Sequence, residues 1–179
     1  MLEGTGVTLL SLYDHHELPE IVEDGASFFE NALKKARMVA EWTGQTAFAD
    51  DSGLEVDALN GAPGIYSARY AGVGASDAAN IEKLLRDLRD VAPSERSGAF
   101  RCVLVLYQPG GRFMNFEGVW QGRIAEKAAG EGGFGYDPVF IVPELSKTVA
   151  ELPPGLKNRL SHRAQAFQKL KKYVQETIF

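Results

Sequence analysis

Two apolar, strand-like runs, AFRCVLVLYQ and RFMNFEGVWQGRI, flank the turn Pro109-Gly110-Gly111. Runs this long, rich in β-branched and aromatic residues and joined by so short a turn, predict a long antiparallel hairpin. A lone hairpin is marginal in water, so this one has to sit in a larger sheet with a buried face. The rest of the chain must then pack on or beside that sheet.

The flanking segments supply what such a sheet needs. Ser27 followed three residues later by Glu30 is a capping box, and Phe29, Ala32, Leu33, Ala36, Val39 and Ala40 recur at helical spacing until Gly44 supplies a stop. A second helix is predicted from Ser76 or Asp77, with Ile81, Leu84, Leu85 and Leu88 on one face. A last helix starts at Ser161 as N-cap and turns Ala164, Phe167, Leu170 and Val174 inward. VTLLSL (7–12), QTAFAD, LEVDAL and YDPVFIV read as further strands, and MLEGTG reads as the end of a helix and its turn. Helices alternating with strands, plus one long hairpin, give an α/β domain with a mixed sheet. At 179 residues, with no linker, the chain reads as one domain over 1–179.

Charge and cysteine usage narrow the function classes. The net charge is −5, and no run of Lys or Arg exceeds two residues, so neither a nucleic acid nor an anionic membrane is an expected partner. A local basic pocket for one small anion remains compatible. The single cysteine, Cys102, rules out an intramolecular disulfide and reads as a buried thiol in CVLVLY. No segment has the length of a membrane span and the start is not a signal peptide, so the cytoplasm is the expected compartment.

Three stretches could carry chemistry. Asp50-Asp51-Ser52-Gly53 follows an apolar run, where a strand is expected to end. Adjacent strand residues point to opposite sides, so one carboxylate faces a cleft while the other serves local structure. A cleft carboxylate beside a hydroxyl suits Mg²⁺, whereas a solvated turn is the plainer alternative. In GEGGFGYDP, glycines let the backbone approach a flat ligand while Phe134 offers a stacking face; a flexible loop is the alternative. In KNRLSHRAQAF, Lys157, His162 and Arg163 gather at a helix start, where cations oppose the helix dipole and ask for an electron-rich partner. Glu23 reads as solvated, and of the neighbours Lys34 and Lys35 one must leave or border the exposed face.

Together, SFFENALKKA, ADDSGLEVDALNGAPGIYSARYAG, GGFGYDPVF and SHRAQA resemble, in order and spacing, the inosine/xanthosine triphosphate pyrophosphatase family of Ham1-type housecleaning enzymes. The resemblance runs from Val7 to the end. It implies an elongated α/β fold with two lobes around a central cleft, a homodimer, and Mg²⁺-dependent hydrolysis of non-standard purine nucleoside triphosphates (dITP, ITP, XTP) to monophosphate and pyrophosphate. By the same resemblance Asp51 is the active-site carboxylate, Glu23 joins it on the metal side, and Ser52 and Lys35 contact phosphate. Phe134, Gly135, Tyr136 and Asp137 stack on and hold the base, and Lys157, His162 and Arg163 recognise its polar edge. Donors aimed at a 6-oxo group are left unpaired by the 6-amino group of adenine, which gives selectivity a physical route. Asp50 is expected to be structural. Two rivals stand beside this: a pyrophosphatase of other base preference, and a catalytically impaired nucleotide-binding protein. The family opens with a strand and a Thr/Ser-x-Asn-x-x-Lys loop that cradles the triphosphate. No such motif precedes Val7, and the expectation is that codons upstream of Met1 encode it.

Overall fold

The computed structural model describes residues 6–12 and 21–178. The helix end read from the start of the chain lies largely outside the described residues, as do residues 13–20.

Helix α1 (Phe28–Thr43) forms where its caps place it. Ser27 Oγ accepts from the Glu30 N–H at 3.2 Å, and Glu30 Oε2 accepts from the Ala26 N–H at 2.8 Å. Gly44, at φ 68°, closes the helix by donating to the Ala40 carbonyl at 2.9 Å. Its buried face is Phe28, Asn31, Ala32, Ala36 and Ala40, so Phe28 rather than Phe29 faces the core. Phe29 instead tilts against Phe113, with ring centroids 5.9 Å apart.

The two strands expected around the Asp50-Asp51 pair are one continuous strand, β1 (Ala47–Val56). The aspartates therefore lie inside a strand, not at its end, and residues 57–59 turn as a 3₁₀ segment. Alternation continues through the pair: Asp51 is buried and Asp50 half-buried, as opposite sides of a strand require. A buried aspartate looks like punctuation in a sequence, but here polar partners reached from elsewhere in the chain compensate its burial.

Helix α2 (Asp77–Asp87) follows, with Ser76 Oγ accepting from the Ala79 N–H at 3.2 Å and Leu84 and Leu88 fully buried. The long hairpin is β2 (Ser97–Tyr107) and β3 (Phe113–Ile124). The expected YDPVFIV strand is shorter than its apolar run: Asp137–Val139 forms a 3₁₀ turn, Pro138 donating no ladder hydrogen bond, and β4 is Phe140–Val142. After β5 (Lys147–Thr148) come α3 (Pro154–Leu160), which the sequence did not announce, and α4 (His162–Ile178). The strands form one sheet in the order β1-β2-β3-β4-β5. The β3–β4 and β4–β5 pairs are antiparallel, with Ile124 opposite Phe140 and Ile141 opposite Thr148.

Residues 7–12 do not form the strand that their β-propensity predicts. Among the described residues no strand pairs with them, and propensity alone does not make a strand without a ladder. Leu9, Leu10 and Leu12 are 44%, 60% and 46% exposed. With Val39, Phe48, Leu170 and Val174 they line an apolar cavity of about 560 Å³.

The chain divides into two compact units. The first takes the described residues up to Asp51, Cys102–Glu117, and the chain from Gln165 onward. Its core joins Cys102, Leu104, Ala166, Leu170 and Val174, with Phe48 edge-on to Phe167 at 5.6 Å. The second takes Ser52–Arg101 and Gly118–Ala164. Leu54, Val56, Leu84, Leu88, Phe100, Trp120, Val139 and Phe140 are among its core residues. Among the described residues no helix is long and apolar enough to cross a membrane.

Candidate active site

In the first unit, Asp51 is the centre of a small polar cluster. It is 9% exposed, so its carboxylate needs partners, and both oxygens have them. Oδ1 accepts from Lys35 Nζ at 3.0 Å and Oδ2 from Asn31 Nδ2 at 3.1 Å. Lys35 Nζ also donates to Glu23 Oε1 at 2.8 Å. Asn31, 1% exposed, accepts the Gly25 N–H at 2.8 Å, which ties the loop carrying Glu23 to the same point. Helical spacing explains why α1 contributes both partners, since Asn31 and Lys35 are four residues apart on one side.

Electrostatics follow from this geometry. Burial pushes the Asp51 carboxyl above its ordinary value; Lys35 and Asn31 oppose the rise, and the charge of Glu23 adds to it. Burial alone would lower Lys35, but Glu23 and Asp51 outweigh it and hold the ammonium above its ordinary value. Lys34, the neighbour that reads identically in sequence, turns instead to Asp24 at 2.5 Å.

Two carboxylates already converge on one cationic atom, Lys35 Nζ. Among the described residues no group of three His, Cys, Asp or Glu side chains could hold a metal. A cation at this point would therefore have Asp51 and Glu23 as its protein carboxylates. That donor set fits Mg²⁺, which takes one or two carboxylates and fills its shell with water and phosphate oxygens. Ser52 follows Asp51 in β1 and is half-buried.

The second unit holds a different cluster, built around Phe134, whose side is 62% exposed. Asp137, 3% exposed, accepts the Phe134 N–H at 2.9 Å and the Lys157 ammonium through Oδ2. Lys157 Nζ also lies 4.1 Å from the centroid of the Phe134 ring, a cation–π contact. Gly133, at φ +79°, suits this arrangement as glycine, since a Cβ there would run into the Asp137 carboxylate. Tyr136 points inward: it is 4% exposed and its hydroxyl donates to the Ser67 carbonyl at 2.9 Å. Burial, with Tyr70 and Asp77 nearby, raises its phenol above the ordinary range. Gly135 donates its N–H to Asp77 Oδ2 at 2.6 Å.

Lys157 does not share a helix start with His162 and Arg163, as the sequence suggested. It lies on α3, and Ser161 separates the helices, donating its N–H to the Lys157 carbonyl at 3.0 Å. Ser161 Oγ then accepts from the Ala164 N–H at 3.2 Å, which leaves His162 and Arg163 in the first turn of α4, as expected. The His162 ring is 9% exposed and stacks on Phe100, with centroids 5.0 Å apart and planes 19° from parallel.

The structure thus brings Glu23, Lys35 and Asp51 together, and separately Phe134, Gly135, Tyr136, Asp137 and Lys157. Sequence reasoning missed Asn31 and Asp77. A polar residue on the buried face of an amphipathic helix was the signal for Asn31. Asp77 was hidden behind its ordinary place in a helix first turn.

A sequence profile of the Ham1 family matches residues 1–173. A dITP/XTP pyrophosphatase of Geobacter sulfurreducens is 53% identical over 174 residues, covering 97% of this chain and 87% of that one. A dITP/XTP pyrophosphatase of Shouchella clausii is 52% identical over 165 residues, 92% of this chain and 83% of the other. Among solved structures, a HAM1 protein from Coxiella burnetii superposes with a TM-score of 0.85 at 47% identity, covering 89% of this chain and 82% of that one. The chain belongs to the Ham1 family.

Proposed function

We propose that this chain hydrolyses non-standard purine nucleoside triphosphates, dITP, ITP and XTP, to the monophosphate and pyrophosphate. The reading is supported by relatives named dITP/XTP pyrophosphatase at about half identity over nearly the whole chain. The observation that carries it is the convergence of Asp51 and Glu23 on Lys35 Nζ, a carboxylate pair with its own cation.

Cleavage between the α- and β-phosphates consumes one water, breaks one P–O bond and releases pyrophosphate. Such a reaction needs positioning and charge neutralisation more than covalent help. Asp51 receives the proton of the attacking water. Lys35 and Ser52 contact phosphate. Asp51 and Glu23 would hold Mg²⁺, which when bound would neutralise charge on the phosphate oxygens. Phe134 stacks on the base, while Asp137 holds Lys157 beside that ring. Lys157, His162 and Arg163 read the polar edge of the base, favouring a 6-oxo over a 6-amino group. The chain acts in the cytoplasm, on the free nucleotide pool, as a homodimer.

The test is a panel of nucleoside triphosphates assayed for pyrophosphate release with and without Mg²⁺. Release from dITP, ITP and XTP, abolished by chelation, is expected. Faster turnover of ATP or of pyrimidine nucleotides would contradict the assignment.

A further inference from the structure

We propose that Asp77 is a positioning residue for the base-binding loop, fixing the Phe134–Gly135 peptide so that the Phe134 ring stands ready to stack. The inference rests on the assignment of Phe134 to the base. Asp77 opens α2, yet the helix does not need it as a cap, because Ser76 Oγ already accepts from the Ala79 N–H. Its carboxylate reaches 58 residues along the chain instead and takes the Gly135 N–H at 2.6 Å. A hydrogen bond from a backbone N–H to a carboxylate is charge-assisted and stronger than an ordinary one.

Phe134 gives this bond its importance. The side chain is 62% exposed, so beyond the Lys157 ammonium over its ring its direction depends on the backbone. That backbone is intrinsically loose. Gly135 sits at φ +58°, and glycine adopts either sign of φ at little cost, so the preceding peptide can rotate freely unless held. Three bonds hold the loop backbone here: Asp137 Oδ2 takes the Phe134 N–H, the Phe134 carbonyl takes the Asp137 N–H at 3.3 Å, and Asp77 Oδ2 takes the Gly135 N–H. Asp137, buried and paired with Lys157 of α3, keeps the Phe134 N–H in place. Asp77 belongs to a helix whose Leu84 is fully buried in the core, so it anchors the Gly135 N–H from outside the loop. Without it the ring samples several directions, and a purine must select the stacking one at a cost in affinity.

The experiment measures binding of inosine monophosphate by titration calorimetry to the wild type and to Asp77→Ala, Asp77→Asn and Ser76→Ala, with thermal unfolding of each. Asp77→Ala should weaken binding about tenfold, the loss of one charge-assisted hydrogen bond, and raise KM for ITP similarly while kcat stays within about twofold. Asp77→Asn retains an acceptor oxygen and should recover most of the affinity. Ser76→Ala loosens the start of the same helix without touching the loop and should bind like the wild type. Unchanged affinity in Asp77→Ala, an equal loss in Ser76→Ala, or no recovery in Asp77→Asn would overturn the proposal. A wild type that binds no inosine monophosphate and hydrolyses no ITP would instead overturn the base assignment on which it rests.

Discussion

Asn31 Nδ2 donates to Asp51 Oδ2 at 3.1 Å, from a side chain only 1% exposed, while its own oxygen takes the Gly25 N–H. One amide thereby fixes the orientation of the buried carboxylate and the position of the loop that brings in Glu23. Asn31→Ala leaves both groups without this partner in a buried place. The expected result is a stability loss of about 1–3 kcal/mol in urea unfolding, together with a fall in kcat. Wild-type stability and kcat in Asn31→Ala would mean the amide organises nothing.

Asp51 itself should behave in the opposite way. Because burial raises its pKa, the folded state disfavours the Asp51 anion relative to the unfolded chain. A carboxyl with a raised folded pKa contributes stability that is fully present below its unfolded value, near 3.8, and lost as pH rises through the folded value. At pH 7 Asp51→Asn should therefore be as stable as the wild type or more so. That advantage should shrink as the pH falls towards 4. Pyrophosphate release should nevertheless collapse, by roughly 10³-fold or more, with loss of the carboxylate proposed to accept the proton and hold the metal. Thermal unfolding at several pH values and a pyrophosphate assay check both halves. Retained activity, or a marked destabilisation at pH 7, would contradict the role given to Asp51.

Base selectivity should respond to the residues that open α4. Arg163→Ala should lower the ITP/ATP ratio of kcat/KM by about tenfold or more, the order expected when one hydrogen-bonding donor is removed from a discriminating site. His162→Ala should do the same but also destabilise, because it removes the stack on Phe100. Steady-state kinetics with both substrates give the answer. An unchanged ratio in both variants would remove these residues from base recognition.

Local signals made most of the elements legible. Ser27 with Glu30, Gly44, Ser76 and the Pro109-Gly110-Gly111 turn each act within a few residues, and α1, α2 and the β2–β3 hairpin form where they point. Elements that depend on distant partners were misread. The segment over 7–12 has strand propensity but no ladder, and the Asp50-Asp51 pair looked like a strand end because its compensating groups, Lys35 and Asn31, come from another element. The same holds for the site. The candidate residues could be named from their motifs, but the sharing of Lys35 by Glu23 and Asp51, and the turn of Lys34 towards Asp24, are tertiary facts. Asp77 was unreadable for that reason too, since its partner lies 58 residues away.

The central claim is that the Asp51 cluster directs cleavage between the α- and β-phosphates of a non-standard purine nucleotide. The most direct measurement is product analysis after complete conversion of ITP by the wild type in Mg²⁺. One inosine monophosphate and one pyrophosphate per ITP is the expected result, with no orthophosphate formed. Inosine diphosphate with orthophosphate, or no conversion at all, would contradict the account.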